Sequence, residues 1–355
     1  MSMPVRVYIA DLPPPEAVFP ALRRMEATRV YSNFGPLESE FRDALARWLD
    51  VARPPAVATA SSGTAALTLA LRALDLPFGG NVLIPALTFP ATAAAVMAAG
   101  LRPVLTDVDP VSWTMTPGIA SHHLFGICAV VPVGAFGMAL DPVGWDAFAE
   151  GTGLPVVFDA AAALVRQPMP QKCAVAFSLH ATKPLGVGEG GLVASRDLDL
   201  IARVRQLSNF GFDNDLVREP WGNAKLSEYH AAVGLAQLER ADEVRRGIAA
   251  LHGDYLARLP APLRPAAEGS AMVVALPGEA QRVADTLAGE GIETRRWYQP
   301  DLSRHPAFAR CAQAGDLAVT ANLADRLIGL PFHAFLSAED VGRVCAHLGE
   351  SLAVG

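Results

Sequence analysis

Two rhythms of apolar and polar residues alternate along about the first 200 residues. AVATA, NVLIP, RPVLTDV, ICAVVPV, LPVVFDA, AVAFSL and GLVAS are short apolar or β-branched runs. Continuous runs of this kind suit strands covered on both faces. Longer amphipathic stretches lie between some of them. In ESEFRDALARWL (38–49), Phe41, Leu45, Trp48 and Leu49 fall at i, i+4, i+7 and i+8, one face of a helix. AVATASSGTAALTLALRAL reads as a strand, a Ser/Gly turn and a helix that begins near Thr64. Strands alternating with helices predict βαβ units around one central, mostly parallel sheet, so the fold class is α/β.

Beyond Gly191 the pattern turns helical, over 197–207 and then over a long periodic stretch at 226–259. Segments 271–276, 278–291 and 294–297 read as strand, helix and strand, followed by helices near 316–327 and 337–348. This predicts a large domain over 1–245 and a smaller C-terminal α+β domain over 246–355. LPAPLRPAAEGS (259–270) is the best linker, and no repeat of fixed period is visible.

Composition narrows the class. Of 355 residues, 51% are hydrophobic and 18% charged, which excludes a disordered chain. A net charge of −7 and the absence of a basic run argue against nucleic acid as partner. Cys128, Cys173, Cys311 and Cys345 are scattered and form no CxxC pair, so neither a disulfide scaffold nor a Cys-rich zinc site is expected, no metal is assigned, and a reducing cytoplasm is the natural compartment. The start, MSMPVRVYIADLPPPEAVF, meets an Asp and three prolines before a long apolar stretch and is not expected to be a signal peptide. Residues 111–140 contain no Asp, Glu, Lys or Arg, yet Pro, Gly and His interrupt them at short intervals. A buried strand with loops is expected there, not a membrane span. Lysine occurs only at Lys172, Lys183 and Lys225, which draws attention to the place of each.

Candidate chemistry gathers at the ends of the expected strands. Ser62-Gly63-Thr64 opens a helix, where free N–H groups, a glycine and two hydroxyls make a phosphate cup; ordinary N-cap chemistry is the alternative. The set lacks the lysine of a Walker loop and the three-glycine dinucleotide fingerprint. Asp159 ends LPVVF at the strand edge where open α/β sheets bind ligands, with a turn or cap role as the alternative. Twenty-four residues on, AVAFSLHATKPLGVGEGG carries Ser178, His180, Thr182, Lys183 and Glu189 into a glycine-rich loop. A lysine between a core strand and such a loop can have a lowered pKa and act as nucleophile, base or Schiff-base former. Phe89, in IPALTFPATAA, offers a stacking ring or a core side chain. A phosphate cup, a carboxylate for a pyridinium nitrogen, a lysine for the aldehyde and a stacking aromatic are together the requirements of pyridoxal 5'-phosphate.

These motifs closely resemble those of the DegT-type sugar aminotransferases, of the aspartate-aminotransferase-like fold type I of pyridoxal-phosphate enzymes. The likeness covers nearly the whole chain, from SNFGPLESEF through SSGTAALTLALRAL, IPALTFPATAAAV, VVFDAAAAL, FSLHATKPLGVGEGGLVAS and WGNAKLSEYHAAVGLAQLERAD to GLPFHAFLSAEDV. It implies a three-layer large domain. It further implies that Lys183 forms the aldimine, Asp159 pairs with the pyridine nitrogen, Phe89 stacks on the ring, and Gly63, Thr64 and Ser178 hold the phosphate with Ser62. Asn223 is implied to reach the phosphate of the neighbouring subunit in a homodimer. Tyr31, Asn33, His180, Glu189, Lys225, Tyr298 and His305 are candidates for the substrate wall.

Two departures stand out. Ala162 replaces the polar residue, often Gln or His, that the family places near the cofactor's phenolic oxygen, leaving room for another side chain such as His180. GAFG (134–137) replaces a more usual His-containing segment. The implied activity is transamination from an amino acid, glutamate, to a keto group of a nucleotide-linked sugar. Two alternatives remain: a non-transaminating pyridoxal-phosphate enzyme of the same fold, and a cofactor-retaining sensor or scaffold. A desulfurase is disfavoured, because Cys128 and Cys173 lie in or beside apolar runs.

Overall fold

The computed structural model describes residues 4–265 and 267–353. All seven apolar runs form strands: β1 Ala56–Ala60, β2 Asn81–Pro85, β3 Arg102–Thr106, β4 Ile127–Val130, β5 Val157–Asp159, β6 Ala174–Ser178 and β7 Gly191–Ser195. Five further strands follow: β8 Phe212–Asp213, β9 Leu216–Val217, β10 Met272–Ala275, β11 Ala312–Ala314 and β12 Leu327–Leu330. The orders β1-β7-β6-β5 and β4-β2-β3-β11 join through parallel bridges at Val130 with Val156 and Val133 with Asp159, giving one continuous sheet. Only β7 runs against its neighbours in that sheet among the described residues.

Successive residues of the central strands face opposite layers, as the pleat requires. Phe158, Val175 and Phe177 enter a core with Phe41, Leu45 and Trp145. Val157, Ala174 and Ala176 enter the opposite core with Leu67, Leu69 and Val204. Helices therefore cover both faces, and the class is α/β with three layers. No helix of the described residues is long and apolar enough to cross a membrane.

The C-terminal unit pairs β10 with β12 antiparallel, beneath helices Ala280–Gly289 and Ala338–Ala353. It is tied to the large sheet twice. β11 adds parallel to β3 at the sheet's edge. Asp107, just after β3, accepts the N–H groups of Val319 (2.8 Å) and Thr320 (2.7 Å) and the Thr320 hydroxyl (2.7 Å), capping helix Ala318–Arg326. The N-terminal segment joins this unit as well, since Val5 pairs with Ile292 and packs in its core.

Some expectations need correction. The periodic stretch 226–259 is two helices, Glu228–Glu239 and Ala241–Arg258, because the chain turns at Arg240, whose guanidinium grips Asp11 at 3.0 and 3.1 Å. The second helix leaves the first core near Val244 and enters the C-terminal core by Tyr255, so residues 245 and 246 lie inside it. Segment 294–297 is no strand: Arg295 alone bridges, to Gly329. Leu327, the expected end of the helix near 316–327, opens β12 instead, and that helix ends at Arg326. Helix Pro15–Thr28 was not anticipated, although the proline run supplies its Pro15 start.

Helix Pro36–Leu49 has no side-chain cap of its own. Glu228, fully buried, reaches across from the start of the neighbouring helix Glu228–Glu239 and accepts the N–H groups of Leu37 (2.8 Å) and Glu38 (2.7 Å). A carboxylate there meets both the free donors and the positive end of the helix. Glu228→Ala is expected to destabilise the protein by about 2 kcal/mol or more, with Glu228→Gln losing less. Denaturant unfolding of both variants tests this, and an unchanged midpoint in Glu228→Ala would refute it.

Candidate active site

Because β7 alone runs backwards, the C-terminal ends of β1, β2, β5 and β6 open on one edge of the sheet. There lies a cleft of about 880 Å³, bounded on its far side by the C-terminal unit through Arg295, Arg296, Trp297, Tyr298 and Phe332. Ser62, Gly63 and Thr64 after β1, Phe89 after β2, Asp159 on β5, and Ser178, His180, Lys183 and Glu189 from β6 onward all line it, with Ala162.

The cup is tight. Helix Gly63–Ala73 starts in the cleft, with Ser62 as N-cap accepting the Ala65 N–H at 3.1 Å. The capping alternative therefore holds for the Ser62 side chain, while the N–H groups of Gly63 and Thr64 have no partner within the helix. A Cβ on Gly63 would stand 2.7 Å from Ser178 Cβ, so only glycine lets the helix start approach β6. The result is an anion cradle made of helix N–H groups and two hydroxyls.

Asp159 is 8% exposed and makes no ion pair among the described residues. Its Oδ2 accepts the Thr92 hydroxyl (2.7 Å) and its Oδ1 the Ala161 N–H (3.2 Å). Burial pushes its carboxyl above the usual range, opposed by Thr92, Ala161 and the Lys183 charge. Burial also holds Lys183 below the ordinary lysine range, opposed by Asp159. A buried carboxyl group and an amine whose pKa burial lowers thus face one cleft.

The loop that carries Lys183 is fixed from three sides. The Lys183 N–H bonds to His180 O (2.8 Å) and Gly186 N–H to Lys183 O (3.0 Å). Gln237 donates to Gly186 O (3.0 Å), and the Tyr8 hydroxyl to Ala181 O (3.1 Å). A Cβ on Gly186 would lie 2.7 Å from His180 O, which accounts for one of the loop's glycines. Sequence reasoning missed Tyr8, Thr92 and Gln237. Thr92 carries a faint signal as a hydroxyl one helical turn past Thr88; the other two act across long sequence separations.

Phe89 precedes helix Pro90–Ala98 and leaves 60% of its surface exposed in the cleft instead of joining the core. His180 does not turn to the space beside Ala162: its Nδ1 contacts Thr182 Oγ1 (2.8 Å) and its Nε2 faces Glu189 (3.7 Å). The Ala162 carbonyl accepts the Ser270 hydroxyl (2.7 Å). In the departed GAFG segment, Phe136 stacks on Tyr298 at 4.9 Å and 19°. Burial and the nearby Asp159 raise the Tyr298 hydroxyl's pKa. Arg296 is committed to the carbonyls of Ala324, Asp325 and Leu327. The Arg295 side chain makes no ion pair among the described residues.

Five further candidates do not line this cleft. Tyr31 stacks on Tyr229 at 6.1 Å, and Asn33 sits in an exposed left-handed turn (φ 62°). Asn223, exposed, bridges Asn209. Lys225 bonds to Asn209 Oδ1 (2.6 Å) over the Phe210 ring (4.8 Å). His305 packs on Phe308. Asn223 and Lys225 flank the hairpin β8–β9, where Phe210, Phe212, Leu216 and Val217 are exposed.

The Lys183 shift can be read directly. In cofactor-free protein, amine labelling followed by mass spectrometry across pH is expected to give Lys183 a midpoint below that of a free lysine side chain. Asp159→Asn removes the charge that opposes burial, so it lowers the midpoint further. A midpoint raised by that substitution would contradict the geometry.

The profile of the DegT/DnrJ/EryC1/StrS aminotransferase family matches residues 16–349. The chain is 32% identical over 308 residues to UDP-N-acetyl-3-dehydro-alpha-D-glucosamine 3-aminotransferase of Acidithiobacillus ferrooxidans, covering 82% of this chain and 83% of the relative. It is 31% identical over 357 residues to GDP-perosamine synthase of Caulobacter vibrioides, covering 93% and 94%. The crystal structure of DesI in the presence of its TDP-sugar product has a TM-score of 0.88 and 29% identity, over 99% of this chain and 94% of that one. A likeness that runs through the sheet, the cleft and the C-terminal unit alike has one reading: the chain belongs to the DegT/DnrJ/EryC1/StrS aminotransferase family.

Proposed function

We propose that this protein uses pyridoxal 5'-phosphate to move an amino group from glutamate to a keto group of a nucleotide-linked sugar, as a cytoplasmic homodimer with shared sites. The observation that carries this reading is the buried Asp159, without an ion pair of its own among the described residues, in one cleft with a buried lysine of lowered pKa and an anion cradle. Family membership supports it, as do two relatives and one neighbour whose names specify UDP-, GDP- and TDP-sugar chemistry.

When bound, pyridoxal phosphate supplies an aldehyde that carries amino groups and a protonated ring that draws electrons from the carbon losing its proton. Gly63, Thr64, Ser178 and the Ser62 turn would hold its phosphate, and Phe89 would cover its ring. Asp159 would place its carboxylate, held by Thr92 and the Ala161 N–H, against the ring nitrogen. Lys183 Nζ, when neutral, would take the proton from the donor's amino-bearing carbon and return it two atoms away, across the nitrogen. Arg295 offers a cation to the donor's carboxylate and, in the second half of the cycle, to the acceptor's diphosphate. The exposed hairpin would carry Asn223 to the phosphate of the neighbouring subunit, with Tyr31, Asn33, Lys225 and His305 near the acceptor between subunits.

Purified protein given the cofactor and glutamate should lose its visible absorption and release 2-oxoglutarate in equal amount to active sites. Lys183→Ala should lose both the visible band and turnover; full activity in that variant would sink the assignment. Asn223→Ala should bind the cofactor roughly ten-fold more weakly for a lost hydrogen bond to charge. Mixing the two variants should restore activity, because a hybrid dimer contains one intact site. No recovery would count against shared sites.

A further inference from the structure

A hydroxyl pair stands behind Asp159 that neither the family's expected roles nor the proposed function uses. Thr92 is 1% exposed and Thr88 2% exposed. Thr92 Oγ1 lies 2.7 Å from Asp159 Oδ2 and 2.8 Å from Thr88 Oγ1. Thr88 reaches the cleft wall, whereas Thr92 stays behind it.

The direction of these bonds follows from proton counting. An ionised carboxylate only accepts, and a threonine hydroxyl has one proton to give. With Asp159 ionised, Thr92 donates to Oδ2, so Thr88 must donate to Thr92. Each bond polarises the next, and the run ends on the charge, which strengthens it relative to two separate contacts. With Asp159 protonated, Oδ2 would carry the proton toward Thr92 and the chain of donors would reverse. Donation from Thr92 therefore favours the ionised form against the burial that opposes it, and the contact at Oδ2 fixes one carboxylate orientation.

Local structure makes this placement rigid. Pro90 and Thr92 occupy the first turn of helix Pro90–Ala98, immediately after Phe89. The turn that sends the Phe89 ring into the cleft thus also aims the Thr92 hydroxyl at the acid. Ala161 N–H holds the other oxygen at 3.2 Å. The titratable groups facing Asp159 from other elements are Lys183 and Tyr298.

We propose that Thr92, backed by Thr88, is the positioning residue that holds Asp159 ionised and aimed at the cofactor's ring nitrogen, acting through the carboxylate without touching cofactor or substrate. This rests on the pyridoxal-phosphate reading above.

The test compares wild type, Thr92→Val and Thr92→Ser as holoenzymes. A ring nitrogen held less firmly in its protonated form withdraws less charge, so the nitrogen of Lys183 attached to the cofactor keeps its proton to higher pH. Thr92→Val is expected to raise the midpoint of the visible band's pH titration by about one unit and to slow the single-turnover reaction with glutamate about ten-fold, the size of a hydrogen bond to charge. Cofactor affinity should stay within about three-fold and the denaturation midpoint of the apoprotein should barely move. Thr92→Ser, which restores the hydroxyl, should return midpoint and rate toward wild type. Thr88→Val removes only the outer donor and should move the midpoint the same way by less, which keeps the idea testable if Thr92→Val does not fold. An unmoved midpoint in the valine variants, or equal impairment with serine and valine, overturns the proposal. Wild-type protein that shows no visible band with the cofactor overturns the functional reading itself, a result distinct from a normal wild-type band unaffected by Thr92→Val.

Discussion

A carboxylate closed off from water at the end of a strand must find compensation, and among the described residues Asp159 finds only a hydroxyl and an amide within hydrogen-bond reach. Taking a charge out of water is costly unless it is paired. The surrounding chain is arranged about this problem. β5 and β6 run parallel so that Asp159 and the Lys183 loop leave the sheet at the same edge. β7 returns antiparallel and brings its first residue, Gly191, beside Ser178 and Ala60. The cleft holds an acid that favours a cation and an amine whose charge burial disfavours, and the pyridinium ring of the proposed cofactor would answer the first while its aldehyde would answer the second.

On the other side of the acid, the expected polar neighbour is absent and an aromatic wall stands there. Ala162 spends its carbonyl on Ser270, while Phe136 and Tyr298 stack face to face across the two units. A stacked pair excludes water and raises the local electrostatic stakes for every charged group beside it. Electronic control of the cofactor then falls more heavily on the ring-nitrogen end, where the hydroxyl pair lies.

Much of the large unit was legible in the sequence because its signals are local. The apolar runs were long enough to declare buried strands, and the scarcity of lysine singled out Lys183. Ser62-Gly63-Thr64, Phe89 and Asp159 could be placed because each follows such a run directly. What escaped was set by distance along the chain. Nothing near Gln237 or Tyr8 says that they tether a loop around residue 183, and the LIGL of β12 is too short to tell from a helix end. Arg240 looks like any helical arginine until Asp11 arrives from the other end of the chain. Asn223 and Lys225, expected at the site from the resemblance alone, lie away from this chain's own cleft beside Asn209.

The tie between the C-terminal unit and the large sheet bears on how anything enters. That unit walls the cleft through Arg295, Trp297, Tyr298 and Phe332, and it is also stitched to the sheet's edge by β11 and by the Asp107 cap on helix Ala318–Arg326. Swinging it aside would break a strand ladder and strip a helix of its cap together. A hinge at that unit would therefore have to give up both sets of contacts before the cleft could widen.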